Sequence, residues 1–223
     1  MATAEVTRNI ERSINSISFS ADFWLDIGYL SKIYRELYKS FFTKVLFMVE
    51  GKLIQNRVRI WEDYDQVHDK LYYGKKFEDH LDLSLSEAMH LVERGEIEVF
   101  DSEEKLEKEE LFDVFSGLDD EFQQKYAVYS DLRERGYILK SGFKFGAHFR
   151  VYPRGVNPYK EGPKSQNEHT KWVVHAVPED NSMSFAEMSR AVRLAQNIRA
   201  TMLWGVVDSE KGVTYYKVER ITP

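Results

Sequence analysis

Tyr152 and His169 are the residues whose types and setting point most directly to chemistry. From Phe143 to Tyr152 the chain alternates. Phe143, Phe145, Ala147, Phe149 and Val151 fall on one side, and Lys144, Gly146, His148, Arg150 and Tyr152 on the other. A face with two cations, an imidazole and a phenol is costly to bury, so it is expected to line solvent or a site. Pro153 breaks the strand, and a loop over residues 154–168, punctuated by Gly155, Pro158, Gly162 and Pro163, delivers His169. A phenol and an imidazole can act as base and acid in proton transfer. No HExxH, GxxxxGK[ST] or strand-linked GxGxxG is present, and no nucleophile elbow, although a Ser–His–Asp triad stays open. Metal-free proton transfer on an anionic substrate remains. RNA fits that chemistry, because its 2′-hydroxyl is an internal nucleophile that needs only a base, an acid for the leaving oxygen and a cation for the phosphorane. On spacing alone, a core tyrosine and a surface histidine remain the ordinary alternative.

The composition narrows the classes. A 223-residue chain with 43% hydrophobic and 14% aromatic residues is globular, with room for one large or two small domains. With no cysteine there is no disulfide framework, thiolate zinc site or cysteine nucleophile, which suits a reducing cytoplasm or a hot one. No apolar run approaches the roughly 20 residues of a membrane span, and the opening MATAEVTRNIERSI does not read as a secretory signal. The net charge of −6 argues against a general nucleic-acid sponge. Residues 121–223, however, carry 16 Lys and Arg against 11 Asp and Glu, which leaves −11 to the first 120. A basic second half suggests an anionic ligand there, against the alternative of ordinary surface variation.

The elements that must position these residues can be read in order. Phe23, Ile27, Leu30, Tyr34, Leu37 and Phe41 form one helical seam after a cap at Ser20. Residues 44–61 read as a hairpin turning near Glu50-Gly51, and Ser84 with Glu87 as a capping box for a helix ended by Gly95. His68, His80 and His90 lack ligand spacing and read as structural or surface residues. The acidic stretch 101–121 reads as a solvated helix or linker, with a domain boundary near Gly117. Beyond it come a helix with Phe122, Tyr126, Tyr129 and Leu132 on one face, a strand at 137–140, the strand ending at Tyr152, and a buried strand at 172–177. A second capping box, Ser184 with Glu187, opens a helix whose inner face is Met188, Ala191, Val192, Ala195 and Ile198. Its outer face is Arg190, Arg193, Gln196, Asn197 and Ala200. Strands near 202–207 and 213–218 flank the loop at Asp208 and Glu210. The expected fold is α/β (α+β): a helical extension at 1–43, a small N-terminal α/β domain at 44–117 and a C-terminal mixed-sheet domain at 118–223.

Several long stretches carry a family resemblance: YAVYSDLRERGYILKSGFKFGAHFRVYPRG, EHTKWVVHAVPEDNS, RAVRLAQNIR, VVDSEKGVTYYKVERITP and, earlier, DLSLSEAMHLVERGEIEV. Together they resemble the archaeal tRNA-intron splicing endonucleases over about four-fifths of the chain, with residues 1–43 outside the likeness. The resemblance implies a Tyr/His/Lys triad in a nuclease-like C-terminal domain. Tyr152 would be the general base on the 2′-hydroxyl and His169 the general acid for the 5′-oxygen. The products would be a 2′,3′-cyclic phosphate and a 5′-hydroxyl, with no metal or other cofactor. The substrate would be precursor tRNA with a bulge–helix–bulge at its intron borders, read by shape and splayed bases. Arg193 falls on an arginine that stacks on a bulged base. Lys144, Arg150 and Arg199 are further expected RNA contacts. Asp208 and Glu210 resemble a loop that docks on a neighbouring subunit, and Tyr215 and Tyr216 lie in a dimer strand, so a homo- or hetero-oligomer in the cytoplasm, off the membrane, is implied.

One position departs from that pattern. The family's lysine would follow Arg199, where this chain has Ala200, and no lysine lies between Lys171 and Lys211. A cation of that kind is typically worth about 2.7–4 kcal/mol of transition-state stabilisation. Ala200 is then either a deliberate substitution that inactivates the enzyme or the mark of a naturally weak or non-catalytic member. The second reading makes the chain a structural subunit that positions RNA or a catalytic partner.

Overall fold

A computed structural model describes residues 48–142, 146–163, 165 and 168–221. The expected helix at 20–41 and the residue Lys144 lie outside these. The first sheet opens with β1 (Val49–Ile54) and β2 (Arg57–Ile60), which pair antiparallel with Ile54 opposite Arg57. That register puts the turn at Gln55-Asn56, where Gln55 takes φ +56°, and not at the expected Glu50-Gly51. Gly51 instead lies inside β1 because its neighbour strand comes too close for a side chain: a Cβ there would stand 2.6 Å from Cγ1 of Val58.

A single π-helical turn (Gln66–Lys70) leads to β3 (Lys75–Lys76) and β4 (Leu81–Ser84). Helix α1 (Leu85–Glu93) follows, then β5 (Ile97–Asp101) and β6 (Glu104–Leu106). The sheet order is β3-β4-β2-β1-β5-β6, with β1 and β5 parallel. The capping box is present: Ser84 accepts from the Glu87 amide, and Glu87 reaches back to the Ser84 amide at 2.9 Å.

The acidic stretch is not a linker. It forms β6 and helix α2 (Lys108–Leu118), whose Leu111 and Phe115 are fully buried. Acidic side chains point to water, while apolar residues four apart point inward. Gly117 sits in the last turn of α2. Helix α3 (Phe122–Glu134) then packs on α1 on one side and on the second sheet on the other. One continuous core therefore runs from Val58 and Leu83 through Tyr129 and Leu132 to Val151 and Val174.

The second sheet has the order β11-β10-β9-β8-β7. Its strands are β7 (Ile138–Ser141), β8 (Phe149–Tyr152), β9 (Trp172–Pro178), β10 (Thr201–Val207) and β11 (Val213–Val218). Helix α4 (Phe185–Asn197), with the expected Ser184/Glu187 capping box, joins β9 to β10 as a parallel crossover. It covers a second cluster that contains Val173, Val192, Ala195, Ala200, Met202 and Trp204. Gly205 leaves room for α3, since a Cβ there would lie 2.8 Å from Cγ2 of Val128.

Strand β8 is shorter than the alternation predicts. Residues 143–145 lie outside the described part, and 146–148 form a turn with Gly146 at φ +59°. A glycine at positive φ ends the extended run before Phe149.

Candidate active site

Strand register gathers the candidate residues. Val151 pairs with Trp172 across β8 and β9, and Trp172 pairs with Thr201 across β9 and β10. Because β8 runs against β9 and β9 runs with β10, three ends coincide: the last residue of β8, the start of β9 and the start of β10. Tyr152 ends β8, His169 lies three residues before β9, and Ala200 immediately precedes β10. Two backbone bonds fasten this corner, Lys171 N to Val151 O at 2.8 Å and Thr201 N to Lys171 O at 3.2 Å. With strands about 4.8 Å apart, the β8 and β10 ends stand about 10 Å from each other.

Of the two settings expected for its strand face, solvent or a site, Tyr152 does not occupy the first. It is 6% exposed, and its strand is interior to the sheet, with Ile138 opposite Tyr152. Among the described residues its hydroxyl makes no hydrogen bond. His169, in contrast, is exposed.

Ala200 is not on the outer face of α4. The helix ends at Asn197, and the chain leaves it through a Schellman turn. Arg199 takes φ +57° and its amide donates to Gln196 O at 2.9 Å, while the Ala200 amide donates to Ala195 O at 3.0 Å. This turn directs Ala200 into the second cluster, where it is 6% exposed. Continuing the 3.6-residue period past Asn197 gives the wrong direction because one left-handed residue resets it.

The cations lie around the same sheet. Arg193 and Arg199 are exposed, Arg193 on the outer face of α4. Arg150 is half-buried and its Nε donates to Ser141 O at 3.0 Å across the β7–β8 pair. His148 serves the fold: its Nδ1 accepts from the Ala176 amide at 3.0 Å. Burial and the adjacent His175 push its imidazole down to about 4, so it is neutral at pH 7.

Asp208 and Glu210 lie at the opposite end of the sheet from Tyr152. Asp208 Oδ1 accepts from the amides of Glu210 at 2.9 Å and Gly212 at 2.8 Å, and Ser209 N donates to Glu179 at 3.1 Å. The loop is therefore shaped by its own carboxylate. β11 is an edge strand, with Tyr216 at 57% exposure. Tyr215 is half-buried and its hydroxyl donates to Asp131 of α3 at 2.7 Å.

Sequence reading passed over Lys140 and Tyr159. Lys140 is on β7, and its ammonium reaches Gly74 O at 3.0 Å and Glu87 at 3.7 Å. Burial is the main cause that lowers its pKa, to about 8, although Glu87 pulls the other way. Glu87 itself stays ionised against its burial because Lys140 and the amides of Ser84 and Gly74 stabilise the carboxylate. The signal in the sequence was weak: one lysine in an apolar strand, with its partners more than 50 residues upstream.

The fold is that of an α+β protein of two mixed sheets, with the candidate residues Tyr152, His169 and Ala200 at one end of the second. Residues 122–215 match the family model of the tRNA intron endonuclease catalytic C-terminal domain, and residues 49–112 match that of its N-terminal domain. The chain belongs to the tRNA intron endonuclease family. It is similar to the tRNA-splicing endonuclease of Thermococcus kodakarensis, 46% identical over 69% of this chain and 85% of the relative. The proteins of that name from Methanothermobacter thermautotrophicus and Nanoarchaeum equitans are 38% and 39% identical, over 71% and 63% of this chain and 88% and 90% of their own lengths.

Proposed function

We propose that this chain is a tRNA-splicing endonuclease subunit that acts on precursor tRNA at bulge–helix–bulge intron borders. The observation that carries the reading is the convergence of Tyr152, His169 and Ala200 at one sheet end, set by the β8–β9–β10 register. Tyr152 as base takes the 2′-hydroxyl proton, and the 2′-oxygen attacks the adjacent phosphorus. His169 as acid gives a proton to the departing 5′-oxygen. The phosphorus–oxygen bond to the downstream nucleotide breaks, leaving a 2′,3′-cyclic phosphate and a 5′-hydroxyl. Base, acid and cation are all side chains in this scheme, so it calls for no metal. Arg193, with Arg150, Arg199 and Lys144, holds the RNA.

With Ala200 in place of the cation, the chain as it stands is an inactive or weakened form. Residues 44–117 act as its small domain, 118–223 as its nuclease domain and 1–43 as an extension. The Asp208–Glu210 loop lies at the far sheet end from its own Tyr152, so it serves a neighbouring subunit, and Tyr215 and Tyr216 on the edge strand pair with another copy. No helix of the described residues is long and apolar enough to cross a membrane, and the cytoplasm is the expected compartment.

Ala200 also favours a second reading, a non-catalytic subunit that positions RNA or a lysine-bearing partner. One experiment separates the two. The Ala200→Lys chain, folded and oligomeric by light scattering, is incubated with a bulge–helix–bulge RNA in the presence of a chelator. Cleavage by this chain alone supports the first reading and rules out the second. Intact RNA overturns the first.

A further inference from the structure

The chain between Tyr152 and His169 is pinned to the N-terminal domain at one side chain. Tyr159 reaches out of this loop, and its hydroxyl donates to the carbonyl of Gly74 and meets the Lys140 ammonium. Its ring lies 4.3 Å from that of His68, and Lys140 Nζ is 4.3 Å from the centre of the Tyr159 ring, on the hydroxyl side. The notch that receives it is itself built. His68 is buried and its Nδ1 is 2.9 Å from Tyr73 O, while Glu87 Oε1 accepts from the Gly74 amide at 2.9 Å. The Lys140 and Glu87 side chains are only 10% and 11% exposed.

A second link runs along the loop. The Tyr159 amide donates to Asn157 Oδ1 at 2.8 Å, and its neighbour Lys160 meets Glu168 Oε1 at 2.5 Å. The other Glu168 oxygen accepts from the Ser165 amide at 2.7 Å. Lys160 and the contacts from Ser165 hold the Glu168 carboxyl down to about 2, so the carboxylate is ionised at neutral pH. Glu168 is bonded directly to His169. A continuous set of contacts thus runs from His68, Gly74 and Lys140 through Tyr159, Lys160 and Glu168 to the backbone of His169. A surface loop of this length would otherwise sample many conformations, and each would place the imidazole differently.

We propose that Tyr159 is a positioning residue: its phenol, seated between His68, Gly74 and Lys140, fixes the loop on the N-terminal domain, and the Lys160–Glu168 pair passes that constraint to His169. The N-terminal domain thereby takes part in the reaction of the C-terminal one without touching substrate. The proposal rests on the reading of His169 as the acid. Misplacing such a group by about 1 Å is enough to cost on the order of 100-fold in rate.

The test uses the Ala200→Lys chain as reference, with single-turnover cleavage of the bulge–helix–bulge RNA. Adding Tyr159→Ala is expected to lower the rate at saturating RNA at least tenfold, with half-saturation within twofold. Tyr159→Phe, which keeps the ring on His68 and loses the hydroxyl, falls between. Lys105→Ala, on β6, leaves both parameters unchanged. An unchanged maximal rate in Tyr159→Ala, or a loss confined to half-saturation, overturns the proposal.

If the Ala200→Lys reference leaves the RNA intact, the splicing reading fails by itself, and the clamp is decided on the chain as it stands. The His169 ring-proton signal is assigned by its loss in His169→Asn. In Tyr159→Phe and Tyr159→Ala its chemical shift is expected to move away from that of the parent chain. Identical His169 spectra with and without the phenol overturn the proposal. Where Tyr159→Ala fails to fold, Tyr159→Phe carries both arms.

Discussion

The amide of Ala200 donates to the carbonyl of Ala195 at 3.0 Å, and this bond fixes where any side chain at position 200 begins. The Cβ starts inside the cluster of Val173, Ala195 and Met202. A lysine placed there is expected to lay its aliphatic stem along that cluster and bring its ammonium out at the sheet end.

Ala200→Lys is therefore expected to raise RNA cleavage by about 100- to 1,000-fold, the range for one charge-stabilising group. Rate constants at fixed pH and ionic strength, with a chelator present, check it. The melting temperature should change by no more than a few degrees.

Within the Ala200→Lys background, Tyr152→Phe and His169→Ala should each return cleavage to near the Ala200 level. Tyr152 is buried and His169 exposed, so Tyr152→Phe keeps the packing and His169→Ala removes little of it. Circular dichroism and light scattering should match the parent chain. Full activity in either variant would remove that residue from the proposed chemistry.

His90 should govern part of the acid stability. It is buried between Tyr73 and Tyr129, and burial, reinforced by Arg133 and Arg94, pushes its imidazole down to about 4 from an ordinary 6.5. Below pH 6.5 the unfolded chain binds a proton that the folded chain refuses. Stability therefore falls as pH drops from about 6.5 to 4, by about 2–3 kcal/mol for this group. His90→Phe should lose less between pH 7 and pH 4.5 in urea unfolding than the parent does.

The two capping boxes should differ in weight. Ser184→Ala removes an exposed cap and is expected to cost about 1 kcal/mol. Glu87→Ala removes a buried carboxylate that accepts from Ser84 N, Ser84 Oγ and Gly74 N and faces Lys140, and should cost about 3 kcal/mol or more. Denaturant midpoints at constant slope measure both.

The sequence by itself determined three of the four α-helices and most of the strands of the described part, because their signals are local. Ser84 with Glu87 and Ser184 with Glu187 are capping boxes within four residues, and Val192 and Ala195 mark a buried face by periodicity alone. The residue types at Tyr152 and His169 were equally legible, as was the absence of a lysine at position 200. Tertiary structure decided the rest. Gly51 reads as a turn residue until Val58 is seen pressing against it. The burial of Tyr152 has no trace in its strand alternation, and the inward direction of Ala200 depends on one residue of left-handed backbone at Arg199. Lys140 and Tyr159 carry no local pattern, because their meaning lies in Gly74 and Glu87, partners between 53 and 85 residues away in the chain. Short-range hydrogen bonds and periodicity leave a trace in neighbouring residues. Contacts made by chain return do not, and at this sheet end it is those contacts that bring the candidate base, the candidate acid and the missing cation together.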